Sequence, residues 1–319
     1  MAHLSPSDTT TDTRHWAAIN EASFVAGMRL LFWVCRVFGR WPFRIVLYPV
    51  LAWYVVTRPR ARRVSDDYLR RVGARAGLVG VLRHFGSFAE TILDKMLLWG
   101  GLFDTDRVAI HGAEPLLQMI RERRGALLVC SHLGNLDLCR VLSLRTPGLK
   151  ITVLVHTRHA QAFNAMLARL DPRSTLNLMQ VTEMTPATAM QLSERVERGE
   201  FVVIAGDRVP VSNSGRVALA PFLGRTAAFP VGPYVMASVL GCPLYTMFAT
   251  REQDSYALHF ERLREQVALP RKGREAALAE LAGAYAARLE HHARRTPLEW
   301  FNFYDFWHLP DPERADATD

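Results

Sequence analysis

From about residue 107 onward, short apolar runs alternate with amphipathic stretches, and this alternation constrains the fold more than any other feature of the chain. Arg107 to His111, Ala126 to Cys130, Ile151 to His156, Phe201 to Ala205 and Leu244 to Ala249 read as strands. Between and after them, Glu114 to Arg123, Leu136 to Leu144, Ala160 to Leu170, Ala187 to Gly199, Val231 to Leu240 and Arg274 to Arg295 read as helices. Strands that are apolar on both faces and separated by helices predict an α/β fold with a mainly parallel central sheet flanked by helices. The segment Thr226 to Thr250 lacks charge and is long enough to span a bilayer, but Pro230, Gly232, Pro233, Gly241 and Pro243 divide it into a buried helix and strand.

The amino-terminal part is of another kind. Residues 1–14 are mostly Ser, Thr, Asp and Pro and read as a mobile tail, without the ordered regions of a signal peptide. Residues 22–56 are then densely apolar, with Pro49 interrupting the longest uncharged stretch, Ile45 to Thr57, which is too short for a bilayer span of about 20 residues. Arg29, Arg36 and Arg40 fall within about 40° of one another on a helix. A basic stripe on an otherwise Leu, Phe, Trp and Val surface is the pattern of a helix lying in a membrane interface. The alternative is an amphipathic helix packed on the core with a solvated Arg face. Pro42 is expected to break or kink the helix, with a second hydrophobic segment following, and Arg58, Arg60, Arg62 and Arg63 to mark the cytoplasmic edge of whatever enters lipid.

An apolar fraction of 49% with 22% charge excludes a disordered chain, and four dispersed cysteines, Cys35, Cys130, Cys139 and Cys242, exclude a disulfide scaffold and read as reduced thiols. The net charge of +8 suits an anionic surface or an acidic protein. All but three of the basic residues are Arg, however, and no nucleic-acid reading module accompanies them, so nucleic-acid binding is not expected. Phosphate-loop, dinucleotide, Gly-x-Ser-x-Gly and metal-ligand spacings are absent as well. His291-His292 reads as a solvated patch on the last helix.

What remains is Cys130-Ser131-His132-Leu133-Gly134-Asn135-Leu136-Asp137. A His followed by Asp five residues on is weak alone, since His3 and Asp8 repeat it in the tail. His132, however, follows an apolar run almost directly, after Ser131, and precedes a Gly-Asn turn opening a helix. On a continuous helix the two side chains would diverge by about 140°. With Gly134 turning the chain and Asn135 as N-cap, Asp137 can fold back onto the imidazole and leave the other ring nitrogen to accept a proton. The bland reading is a His that satisfies its own loop. Backbone N–H groups of the Gly134-Asn135 turn are candidate oxyanion donors. Arg158, Arg208 and Arg225 follow strand ends or turns, where each grips an anion or stays a solvated surface residue. Asp207 either anchors Arg208 or caps the next loop. Cys130 and Cys139 read as buried structural thiols rather than nucleophiles.

This ordered series resembles the lysophospholipid acyltransferase superfamily and, within it, the bacterial lipid A late acyltransferase-like branch. The resemblance rests on His132-x-x-x-x-Asp137, Ala205-Gly206-Asp207-Arg208, Pro221-Phe222-Leu223-Gly224-Arg225, Phe229-Pro230-Val231-Gly232-Pro233 with Gly241-Cys242-Pro243-Leu244, and the closing Trp300-Phe301-Asn302-Phe303-Tyr304-x-Phe306-Trp307. It implies a glycerolipid acyltransferase-like fold. It also implies that His132 is a general base assisted by Asp137, and that an acyl-carrier-protein or CoA thioester donates to a hydroxyl or amine of a lipid or glycolipid. The resemblance maps the phosphate-contacting and acceptor-positioning motifs onto Arg208 and the Gly224-Arg225 and Phe229-Pro230 blocks, and Asn164 resembles a family position; with Asn135, Arg158 and Asp207 from the residues themselves, these make up the candidate substrate-binding set. Val231 stands where glycerolipid members often carry Glu, which points away from a simple lysophosphatidate acceptor and toward a lipid A-like or other specialised lipid.

The expectation is a peripheral or monotopic enzyme on the cytoplasmic face of the inner membrane, needing neither metal nor redox cofactor. Its organisation would be a tail (1–14), a membrane-associating helical segment (15–63), an acyltransferase domain (64–308) and a second tail (309–319). The alternative is a membrane-surface scaffold that keeps the fold without catalysis.

Overall fold

The structure, a computed structural model, describes residues 33–146, 148–155, 176–180, 185–209, 216–252 and 255–309. The expected helix at Ala160 to Leu170, and both Arg158 and Asn164, lie outside the described residues. Contacts divide the chain into two units, Met1–Val50 and Leu51–Asp319.

In the first unit, residues 33–38 are helical and the break falls at Gly39 rather than at Pro42. Gly39 takes the left-handed conformation (φ +69°) that a side chain disfavours, and its N–H closes on the Cys35 carbonyl. Pro42 instead occupies the first turn of α1 (Trp41–Thr57), where a missing N–H costs nothing. Pro49 lies inside α1, so it does not interrupt the helix as its position in the sequence suggested. Trp33, Phe38, Trp41, Ile45, Val46 and Val50 are exposed. No helix among the described residues is long and apolar enough to cross a membrane.

The second unit carries α2 (Pro59–Val72) and α3 (Leu78–Trp99), then the alternating series. That series runs β1 (Ala109–His111), α4 (Glu114–Arg121), β2 (Ala126–Cys130), a short 3-10 turn Leu136–Leu138, α5 (Cys139–Arg145), β3 (Ile151–Val155), β4 (Leu176–Gln180), α6 (Pro186–Glu197) and β5 (Phe201–Ala205). It continues through a hairpin, β6 (Val217–Phe222) and β7 (Arg225–Pro230), then α7 (Gly232–Leu240), β8 (Leu244–Glu252), β9 (Ser255–Arg264) and α8 (Arg274–Arg295).

The expected α/β architecture is present. Among the described residues seven strands form one sheet in the order β1-β9-β8-β2-β5-β3-β4, and β8 and β9 are its antiparallel neighbours while the other pairs run parallel. β2 is inside the sheet and wholly buried. Its Leu127 and Val129 join the apolar layer holding Tyr285 and Leu289 of α8, and its Ala126, Leu128 and Cys130 join the layer holding Leu116 and Met119 of α4. Covering both faces removes the apolar strand surface from water and explains why these strands show no alternating pattern. His292 is buried against Phe248 and His259, so only His291 of the expected solvated pair is exposed.

Candidate active site

Two adjacent parallel strands build the site. β2 and β5 pair in a register that sets Cys130 beside Ala205. Two residues further along each chain stand His132 and Asp207, outside the carboxyl ends of the strands, where open α/β sheets place their functional groups. Gly206 makes the approach possible. Its N–H donates to the Cys130 carbonyl (2.9 Å), and a Cβ there would lie 2.4 Å from Val129 Cγ1 and 3.0 Å from the Tyr285 ring.

The imidazole Nδ1 of His132 donates to Asp207 Oδ1 (2.8 Å), and the His132 backbone N–H donates to Oδ2 (2.8 Å). The Trp300 indole donates to the same Oδ2 (2.9 Å). Asp207 is fully buried, whereas the His132 side chain keeps 30% of its surface exposed. Burial opposes ionisation of Asp207. The charge and hydrogen bonds of His132 and the Trp300 bond outweigh it and hold the carboxyl below its usual range. With Nδ1 committed as a donor, Nε2 is left as the acceptor, and among the described residues nothing pairs with it.

This geometry corrects the expected partnership of His132 with Asp137. Asn135 does cap the turn, its Oδ1 accepting from the Asp137 N–H (3.2 Å), but the turn is 3-10 and carries the carboxylate toward α3. There Lys95 Nζ pairs with Asp137 Oδ2 (2.6 Å) and the Trp99 indole donates to Oδ1 (3.3 Å). A carboxylate neutralised by its own ammonium has little left to offer an imidazolium. Asp207 is corrected in turn: sealed behind His132, it neither anchors Arg208 nor presents an oxygen to a substrate.

The loop is held by close packing on β8 and by hydrogen bonds. Gly134 adopts φ +68°, and a Cβ at this position would lie 1.6 Å from the Ala249 carbonyl oxygen, so only glycine fits against β8. Its N–H donates to the Glu299 carbonyl (2.8 Å), which removes it from the expected oxyanion donors. Asn135 Nδ2 is buried without a partner among the described residues.

Arg208 is exposed but held: Nε donates to Asn302 Oδ1 (2.9 Å) and Nη2 to the Phe301 carbonyl (3.1 Å), leaving Nη1 open among the described residues. Gly224 and Arg225 are exposed at the β6–β7 turn, which a bond from the Leu223 N–H to Glu290 (2.6 Å) ties to α8; no contact joins them to His132. Cys130 and Cys139 are buried, and burial pushes the Cys130 thiol well up, as befits structural cysteines.

Sequence reasoning missed the parts played by Trp300 and Asn302. A polar Asn302 inside an aromatic run was the available signal, because a buried amide needs partners.

A mainly parallel α/β sheet carries, at its carboxyl rim, a His–Asp pair with one imidazole nitrogen open, the kind of arrangement that general-base chemistry can use. The family model of the bacterial lipid A biosynthesis acyltransferases matches residues 103–308, more than half of the chain, and the chain belongs to that family. It is therefore an acyltransferase of lipid biosynthesis, which takes an acyl donor and a lipid acceptor. No curated protein matches the chain.

Proposed function

We propose that the enzyme moves a fatty or related acyl group from the thioester of an acyl carrier protein or CoA to a hydroxyl or amine of a lipid A-like lipid or glycolipid. The single observation that carries this reading is His132 Nδ1 locked on the buried Asp207 while Nε2 stays open. Nε2 takes the proton of the acceptor group as its oxygen or nitrogen attacks the thioester carbonyl carbon. When the C–S bond breaks, the imidazolium returns that proton to the departing thiolate. Asp207 fixes the tautomer and stabilises the transient imidazolium. The open edge of Arg208 suits a phosphate or carboxylate on either substrate. The reaction as written consumes no metal and no redox cofactor.

The exposed Trp and aliphatic side chains of residues 33–50, and Trp53 and Val56 after them, support a peripheral seat on the cytoplasmic face of the inner membrane.

Purified protein, acyl-carrier-protein and CoA thioesters and a lipid A precursor in vesicles test the reading, with transfer followed by mass spectrometry. His132→Ala is expected to lose roughly 10²- to 10⁴-fold in rate while vesicle binding persists. Undiminished transfer by that variant would sink the mechanism, and membrane binding by wild type without thioester turnover would favour the scaffold reading.

A further inference from the structure

The segment between α8 and the end of the described chain does more than fill space. Glu299 to Asn302 runs across the site as a strap. The Glu299 carbonyl accepts from the Gly134 N–H, the Phe301 N–H donates to the His132 carbonyl (2.8 Å), and Leu133 and Trp300 form an antiparallel bridge. Trp300 is fully buried among Tyr68, Phe222 and Phe306, with ring centroids 5.0, 5.2 and 4.9 Å away, so its indole N–H has a fixed direction. That direction is Asp207 Oδ2. Asn302 Nδ2 donates to the Asp207 carbonyl (3.2 Å) while its Oδ1 accepts from Arg208 Nε, so one amide joins the carboxylate residue to the guanidinium.

We propose that Trp300 and Asn302 are positioning residues for acyl transfer: Trp300 sets how much negative charge Asp207 presents to His132, and Asn302 fixes Arg208 relative to that pair. This rests on His132 being the base. Three donors share the Asp207 carboxylate, two from His132 and one from Trp300. Removing the indole N–H concentrates charge on the bond to Nδ1 and favours the imidazolium. The other titratable or charged groups facing Asp207 are Cys130 at the end of β2, Tyr285 of α8, Tyr304 beyond the strap and Arg208 next in sequence. Burial drives the thiol and both phenols upward, and they stay neutral where an imidazole titrates, at roughly pH 5 to 8.

The test is the pH dependence of kcat/KM for the full-length enzyme on vesicles. Trp300→Phe keeps an aromatic ring but loses the pyrrole ring with its N–H. The expected result is an acidic limb moved upward by roughly half a pH unit or more, with the plateau lowered. Asn302→Leu is expected to raise the KM of the substrate whose anion Arg208 grips, acyl donor or acceptor, about tenfold, equivalent to one lost charge-assisted bond, with less effect on kcat. An unmoved limb in Trp300→Phe overturns the role of Trp300, and loss of kcat at constant KM in Asn302→Leu overturns that of Asn302. Should either variant fail to fold, the wild type decides: in ¹⁵N-Trp-labelled protein the Trp300 indole resonance should titrate with the midpoint of the acidic limb, and a resonance that ignores it overturns the proposal. An acidic limb missing from the wild type, or an active His132→Ala, would instead strike the base reading itself.

Discussion

The rim of the sheet and the carboxyl half of α1 depart from the usual distribution of polar and apolar groups in opposite directions. At the rim, Asp207 is a carboxylate with no exposed surface, ringed by donors and aromatic rings. On α1, Trp53 is 71% exposed and Val56 stands out beside it. Each placement is costly in plain water. A buried charge survives only when it is fully hydrogen-bonded, and exposed large apolar groups gain free energy only by meeting another apolar phase. The contrast teaches that the proposed chemistry and the proposed lipid seating rest on opposite violations of one rule, so each should fail separately.

The largest effect should come from breaking the sealed side. Asp207→Asn keeps the shape but not the charge or the tautomer preference, and should lower kcat by roughly 10³- to 10⁴-fold with vesicle binding intact, as measured by flotation and turnover in parallel. Equal loss in both assays would erase the contrast.

A second buried group sharpens the sealed side. His84 donates Nε2–H to the Trp300 carbonyl (2.9 Å) and accepts at Nδ1 from Ser65 (2.8 Å). Burial drives it from 6.5 down to about 4, with the Trp300 bond opposing the shift. The unfolded chain takes up this proton near 6.5 and the folded chain only near 4, so the full contribution holds above pH 6.5. It drains as pH falls through that window, by up to about 3 kcal/mol. His292, also displaced to about 4 by burial and its neighbour His259, adds with the same sign. Urea midpoints across pH 4 to 7 should therefore slope less in His84→Asn than in wild type, and identical slopes would contradict the assignment.

On the exposed side, Trp53→Ser should weaken vesicle partitioning by about 10- to 100-fold, the cost of roughly 1.5 to 3 kcal/mol of apolar burial, without changing turnover on a water-soluble acceptor. Partitioning that stays at the wild-type level would leave Trp53 outside the lipid contact.

The smallest effect separates the two carboxylates. Asp137 is paired with Lys95, whose side chain is 38% exposed. Solvent screening limits such a pair to about 0.2 to 1 kcal/mol. Asp137→Asn should shift thermal unfolding by a few degrees at most and leave the pH profile in place. A loss comparable to Asp207→Asn would restore Asp137 as the partner.

Much of the fold was legible in the sequence. β2 and β5 have the bounds their apolar runs predicted, and α8 runs from Arg274 to Arg295 as its Ala, Leu, Glu and Arg pattern required. β9 was missed because its Ser-Tyr-Ala-Leu-His-Phe run mixes polar and apolar positions on an antiparallel strand. α3 was missed because it carries Glu90 and Asp94 on a buried face, where ion pairs with Arg251 on β8 satisfy them. In the site, His132, the turning Gly134 and the capping Asn135 were readable because their signals are local.

By itself, then, the sequence determined the alternating architecture, the histidine loop and the apolar amino-terminal surface, since periodicity and turn chemistry act over a few residues. The tertiary structure alone decided which carboxylate serves His132. Asp137 is five residues away and turns to Lys95, while Asp207, 75 residues away, arrives through the register of β2 on β5. Trp300 reaches the other oxygen of the same carboxylate from 93 residues beyond. Hydrogen bonds act over a few ångströms of space, and strand pairing, unlike helical spacing, brings together residues whose separation along the chain carries no trace of it.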